Sequence, residues 1–327
     1  MDDAGEPTLL RWETLTKKKF DQLDKSRCVV MVTCSPLEVH GPHLPFGADA
    51  LEGQGLAIRM LRFLPQRYQD WTYLQLPFIY AATDTLPHSG SLFFRPSTTI
   101  AVLEDLGRSL AAQGFGNIIV SNFHGSPRHF LAIEKACDTV SRERKVKMAC
   151  IFSILLSRLT GGGSDLYDVL GELPGVSKED FRGDTHGGIV ETSQLLALHP
   201  EWVERDYQKL PRRTVDLWLA ENGEDPPPIE RGKPAGLLAM IAAFRAGLRF
   251  FRAETYAGAP GSASPELGER ILDTLAEKGA AAVAEILDGT LPREQWHSPL
   301  WKQRFWFTNP LMVRFFNWFL GITKGIA

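Results

Sequence analysis

Between Cys34 and Gly53 the chain reads CSPLEVHGPHLPFGADALEG, which sets Glu38, His40, His43, Asp49 and Glu52 within a few residues of one another. Carboxylate oxygens and imidazole nitrogens at this density are ligands suited to zinc, manganese or iron. Pro36, Pro42 and Pro45, with Gly41 and Gly47, fix a backbone that must turn sharply, so the stretch is a shaped loop. It follows Cys28-Val-Val-Met-Val-Thr-Cys34, a short, valine-rich apolar run with the character of a buried strand. Loops at the carboxyl ends of strands are where open α/β sheets bind ligands. Taken alone, the stretch leaves two readings open: a metal site, or a polar surface turn whose carboxylates cap nearby backbone groups. His43 is expected to hold the loop by hydrogen bonds. Glu52 sits where a helix begins, so complementarity with the helix dipole accounts for it.

The elements that must position this loop can be read in order. Residues 1 to 8 form a loose tail, and an amphipathic helix around Leu15 to Leu23 leads into the first strand. Leu51 to Phe63 has helical spacing, and Trp71 to Ala82 reads as one or two strands. A turn-rich loop, Thr83 to Ser91, precedes a helix that Ser97 caps and Gly114 stops. Its His88 and Ser91 are candidate substrate contacts. Asn117 to Asn122 is the next strand and runs into Phe123-His124-Gly125-Ser126-Pro127, with a helix from about Arg128 to Ser141 behind it. Met148 to Leu155 reads as another strand, and Gly161 to Ser164 as a flexible connection. Gly183-Asp184-Thr185-His186-Gly187-Gly188 opens a helix over Ile189 to Leu198. Pro226 to Pro228 marks a linker, and Ala235 to Phe251 and Pro265 to Leu287 are helical. This alternation predicts an α/β domain with a mostly parallel sheet covered on both faces. Three polar loops, around His40, His124 and His186, fall beside element ends.

At 327 residues the chain can bury a full core. A net charge of -3 gives no global footprint for nucleic acid, which is excluded as a default partner. Cys28, Cys34, Cys137 and Cys150 lack any CxxC spacing and lie in apolar runs, as reduced, buried thiols of a cytoplasmic protein do. The acidic N-terminus has no apolar signal region.

Together the three loops resemble the creatininase (creatinine amidohydrolase) family. Glu38-x-His40 with Asp49 nine residues on, Asn122-x-His124-Gly125, and His186-Gly-Gly-x-x-Glu191-Thr192-Ser193 follow its pattern in order and spacing. His40-Gly-Pro-His-Leu-Pro45 is similar to the family's HGPHLP signature, and Pro265-Glu-Leu-Gly268 to its C-terminal segment. The resemblance implies a three-layer α/β/α domain over residues 1–290 that holds one or two divalent ions (Zn, Mn or Fe). It implies hydrolysis of a C–N bond in a small cyclic or formylated amide. Glu38, His40, Asp49 and His124 fall on metal-ligand positions, with Asp49 the carboxylate that bridges two ions. Glu191 falls on an acidic position at the metal centre, as ligand or neighbour of ligands. His186 falls on the histidine that handles protons, and Asp184 either orients it or caps a helix. His129, His199 and His297 are expected to be surface or packing histidines. The chain departs from the family at Ser126, where creatininase has a Glu, and at Ala48 and Ala50, where threonines are usual. The resemblance therefore does not extend to creatininase itself. Two other functions stay open: ring opening of a cyclic ketone or lactone, and a non-catalytic scaffold.

Residues 291–327 form an aromatic and basic extension outside the resemblance. From Gln295 to Ala327 it carries Lys302, Arg304, Arg314 and Lys324 and no acid, and Pro310 divides it into two pieces too short to span a bilayer. Either it packs on its own domain or a neighbouring subunit of a homo-oligomer, or it makes peripheral membrane contact through residues 295–327.

Overall fold

A computed structural model of the protein describes residues 7–160, 166–170, 175–227 and 237–319. Five strands, β1 (Thr8–Arg11), β2 (Cys28–Thr33), β3 (Thr72–Gln75), β4 (Asn117–Ser121) and β5 (Lys147–Cys150), form one sheet in the order β1-β3-β2-β4-β5. Every pairing is parallel. The helices are α1 (Lys17–Asp21), α2 (Ala48–Met60), α3 (Pro96–Ala112), α4 (Pro127–Arg144), α5 (Ile151–Thr160), α6 (Leu166–Leu170), α7 (Ile189–Leu198), α8 (Val215–Glu221), α9 (Leu237–Ala253), α10 (Pro265–Asp288), α11 (Arg304–Thr308) and α12 (Pro310–Phe319).

All six residues of β2 are buried, because the strand lies mid-sheet with helices on both faces. Its side chains alternate between two cores. Val29 and Met31 join Leu56 and Met60 of α2, Ile154 of α5 and Ile271 and Leu275 of α10. Val30 and Val32 join Leu103 and Leu110 of α3 and Ile133 and Val140 of α4. The result is the expected three-layer α/β/α arrangement. From β2 the chain moves to β3 on one side, then crosses to β4 on the other. The loops that leave the carboxyl ends of β2 and β4 therefore adjoin.

Helix α7 is brought under these loops by a close backbone approach. A Cβ on Gly268 of α10 would lie 1.9 Å from the Ser193 carbonyl oxygen, so only glycine lets α10 seat against α7.

Several local expectations change. Thr8–Arg11 form an edge strand, which begins at the last residue of the expected tail, and the helix expected around Leu15 to Leu23 shrinks to Lys17–Asp21. The apolar run from Met148 is strand only to Cys150; Ile151 already starts α5. Ser97 does not cap α3, since Pro96 occupies its first position and Arg95 stands at the cap. Gly114 does end it, at φ +93. Gly161–Ser164 lie outside the described residues, as do residues 1–6, Pro228 and residues 320–327.

The C-terminal extension divides at Pro310 as expected. Its first part packs on the domain: Trp296 is buried, its indole N–H donates to the Leu291 carbonyl at 3.0 Å, and Ser298 N donates to Glu134 at 3.2 Å. None of α12 is buried. No described helix is long and apolar enough to cross a membrane.

Candidate metal centre

The loop after β2 and the start of α2 deliver Glu38, His40 and Asp49, all 1 % exposed or less. The loop after β4 delivers His124, and the first turn of α7 delivers Glu191. His124 Nδ1 lies 3.0 Å from Glu38 Oε2 and 3.4 Å from Asp49 Oδ2. His40 Nε2 lies 3.4 Å from the same Asp49 oxygen and 3.7 Å from Glu191 Oε2. Two triads result, Glu38–Asp49–His124 and His40–Asp49–Glu191, and Asp49 belongs to both. A third group, Glu38–His40–His186, adjoins them.

The imidazoles are oriented by their other nitrogens. His124 Nε2 faces the Thr83 carbonyl at 3.0 Å, His40 Nδ1 faces the Glu38 carbonyl at 2.9 Å, and His186 Nε2 faces the Val39 carbonyl at 2.7 Å. A carbonyl only accepts, so each of these nitrogens carries a proton, and the opposite nitrogen is the one turned to the site, where its lone pair would become available to an ion that displaces a proton from it. The Leu86 N–H donates to Glu38 Oε1 at 2.5 Å, and the Gly187 N–H to Glu191 Oε2 at 2.5 Å. Each carboxylate is thereby held by one oxygen.

Charge balance follows from this crowding. Burial pulls His40 down, but Asp49, Glu191 and Glu38 override it and hold it at about 10. His124 is likewise held above its ordinary value, the pull of burial being overcome by Glu38 and Asp49. Burial raises Glu38 and Asp49, yet His124 and His40 respectively keep both below the usual carboxylate range. Burial pushes Glu191 up to about 7 against the opposing charge of His40.

A divalent ion fits this centre. Glu38 Oε2, His40 Nε2 and Asp49 Oδ2 are buried with no hydrogen-bond partner, an arrangement that is costly unless something else satisfies them. Ligand atoms ~2.1 Å from a tetrahedral ion stand ~3.4 Å apart, close to the separations seen here. Mixed oxygen and nitrogen donors suit zinc or manganese.

The chain matches the family described as "Creatinine amidohydrolase" over residues 13–283. It belongs to the creatininase family. The creatinine amidohydrolase of Pseudomonas putida is 25% identical over 202 residues, which span 59% of this chain and 73% of that protein. Among solved structures, "Creatininase Mn" superposes with a TM-score of 0.56 at 20% identity, covering 85% of this chain and 98% of that one. A zinc–zinc form of a creatininase mutant gives 0.58 at 20% identity, over 84% and 97%. A putative creatinine amidohydrolase from Bacteroides fragilis gives 0.56 at 19% identity, over 85% and 96%. Members of the family are metal-dependent hydrolases, and this chain is one.

Within that family frame, other residues resolve differently from their sequence reading. Asp184 caps α7, accepting from Ile189 N at 2.7 Å and Val190 N at 3.2 Å, and makes no described bond to His186. Its carboxyl is so tightly enclosed that a Cβ on Gly188 or Gly258 would fall within 1.9 Å of it. His43 does hold the loop, through Thr192 Oγ1 at 2.8 Å. His88 reaches the Phe251 carbonyl at 2.8 Å, and Ser91 accepts from Val39 N at 3.1 Å, so both brace backbone. Glu52 is not a solvated helix-dipole partner. It is fully buried with both oxygens unpartnered, and burial, then Glu191 and Asp49, raise its pKa well above the ordinary value. Three residues after Asp49 on α2, it shares the Asp49 face. Ser126 donates to Asp84 at 3.1 Å, and Glu191 is the third carboxylate of the paired triads. His129 is packed inside with its Nε2 on the Cys34 carbonyl at 2.9 Å, and His199 and His297 stack on Trp202 and Trp301. The contributions of Thr83, Leu86 and Val39 are backbone groups, for which no side-chain signal exists. All four cysteines are buried and free.

Proposed function

We propose that the chain hydrolyses a C–N bond of a small cyclic or formylated amide, with Glu38, His40, Asp49, His124 and Glu191 as the metal ligands. The observation that carries this reading is the pair of triads sharing Asp49. A divalent ion in such a centre lowers the pKa of its water from about 15.7 to about 7 and polarises a carbonyl. Glu38, Asp49 and Glu191 supply three negative charges, and His40 and His124 bind without adding more. His186 handles the proton. Burial holds its pKa below the ordinary histidine value, which favours the neutral imidazole at pH 7. It stacks on His40 with ring centroids 4.1 Å apart. A neutral imidazole in that place first accepts a proton from the attacking water and then returns it to the leaving nitrogen. Asp184 serves this step indirectly, fixing the start of α7 and with it Gly187 and Glu191.

Metal analysis of the purified protein, with a screen of small cyclic amides and formamides, tests the reading. Hydrolysis that chelation removes and zinc or manganese restores is expected; a metal-loaded protein inert to every amide but active on cyclic ketones or lactones overturns it.

The chain is further read as self-associating through α12, which exposes Leu311, Phe315 and Trp318. Phe315→Glu is expected to lower the mass seen by light scattering. Association with anionic vesicles by a monomeric protein would assign that face to a membrane surface instead.

A further inference from the structure

A cavity of about 470 Å³ opens beside the metal centre, between the loop after β3 and helix α9. This is the volume range of sites that enclose ligands well beyond a single small ring. Its wall is apolar, with Leu86, Pro87, Phe93, Phe244, Leu248 and Phe251 prominent.

Two contacts tie the cavity to the chemistry. Leu86 lines it and donates its N–H to Glu38. Phe251 lines it and packs edge-on against His186, with ring centroids 5.8 Å apart. An amide presented to His186 would therefore place its substituent among these side chains.

The polar residues at the wall are mostly engaged with one another. Asp84 accepts from Arg128 at 3.0 Å and from Ser126 at 3.1 Å. Thr85 also lines the cavity, but its hydroxyl oxygen is buried behind the wall, so the chamber offers a ligand an apolar surface. A chamber lined in this way takes a ligand group that is itself apolar.

The shape comes from the sequence of α9. Ala243, Phe244, Gly247, Leu248 and Phe251 fall on one helical face, with the smallest residues one turn apart and large ones beside them. A Cβ on Gly247 would meet nothing within 4 Å. Glycine inside a helix is unfavourable by roughly 1 kcal/mol relative to alanine, and no close neighbour requires it here. Its effect is to leave the chamber open.

We propose that the physiological substrate is an amide bearing a bulky apolar group, aromatic or branched aliphatic, which fills this chamber. The proposal rests on the amidohydrolase reading for the reaction, but the chamber's preference is measured by binding alone. Calorimetric titration of the full-length, metal-loaded protein compares two matched pairs, hydantoin with 5-phenylhydantoin and formamide with formanilide. The titrations are repeated with chelator so that turnover does not intrude.

The phenyl member of each pair is expected to bind roughly tenfold tighter or better, because its ring is taken out of water. Gly247→Leu should bring the two members of each pair to similar affinity. Gly247→Ala, which adds one methyl group to the same space, should remove part of the difference. Equal binding of both members by the parent protein overturns the proposal, and so does a phenyl preference that both substitutions leave intact. Phenyl binding that Gly247→Leu removes, in a protein that hydrolyses no amide, would uphold the chamber and sink the amidohydrolase reading. Hydrolysis of the small amides without any phenyl preference would do the reverse.

Discussion

Glu191→Gln tests the assignment on which the metal centre turns. In the native chain three carboxylates, Glu38, Asp49 and Glu191, set three negative charges against the four positive charges of two dications. The substitution keeps the side chain's length and a carbonyl oxygen able to accept from Gly187 N, which lies 2.5 Å from Glu191 Oε2. Only the charge is lost. The triad His40–Asp49–Glu191 is then left with one imidazole and the shared Asp49, while Glu38–Asp49–His124 keeps all its donors. Removing groups that merely orient ligands typically weakens metal binding by ~10–100-fold, so loss of a direct anionic ligand should cost ~100-fold or more at the second position. Dialysis against buffered zinc or manganese, followed by elemental analysis, should count two ions per chain in the parent protein and one in the variant. A variant that keeps two ions with unchanged affinity would show that Glu191 is not a ligand, and the charge argument would fail with it.

His186→Ala should lower turnover by roughly 10²–10⁴-fold, the range for a proton-transfer residue, with metal content unchanged; loss of metal would move His186 among the ligands. Gly268→Ala should destabilise the fold by about 2 kcal/mol, because its Cβ meets the Ser193 carbonyl oxygen at 1.9 Å and α10 must back away from α7. Its thermal midpoint should drop by several degrees, and an unchanged midpoint would refute the close approach. His129, buried and lowered to about 3 by burial and then by His124, must take up a proton when the chain unfolds in acid. Its depressed pKa therefore contributes stability that is present above about 6.5 and lost as pH falls toward 3. His129→Gln removes that proton, and the slope of unfolding free energy against pH between about 6 and 4 should shrink by about 1.4 kcal/mol per unit; superimposable slopes would refute it.

Much of the site was legible because its signals are local. Pro and Gly shape the loop after β2, and Cys28–Thr33 reads as buried since parallel strands are apolar on both faces. Helix α7 was readable from Ile189 to Leu198, which put Glu191 in a first turn facing the loops. Elements set by long-range contact were not legible. The strand Thr8–Arg11 is four partly exposed residues, and only pairing of Thr8–Arg11 with Thr72–Gln75 makes it a strand. The run Met148–Leu155 is apolar throughout, and periodicity cannot say that the sheet ends at Cys150. Glu52 carried a usable signal in its three-residue offset from Asp49, which sets both on one helix face. Ser126 could be recognised as a departure, but its partner Asp84 lies in a distant loop.

The loop that carries Thr83, Asp84 and Leu86 serves three neighbours at once. Thr83 takes the proton side of His124, Leu86 grips Glu38, and Asp84, at a left-handed φ of 59°, is pinned by Ser126 and Arg128 at the cavity edge. Occupancy of the chamber and occupancy of the ion centre thus act on one stretch of backbone. If an apolar ligand steadies that stretch, it raises the affinity for the ion, and the ion must raise the affinity for the ligand by the same factor. The two binding events form a thermodynamic cycle in which neither constant has a meaning until the state of the other site is specified.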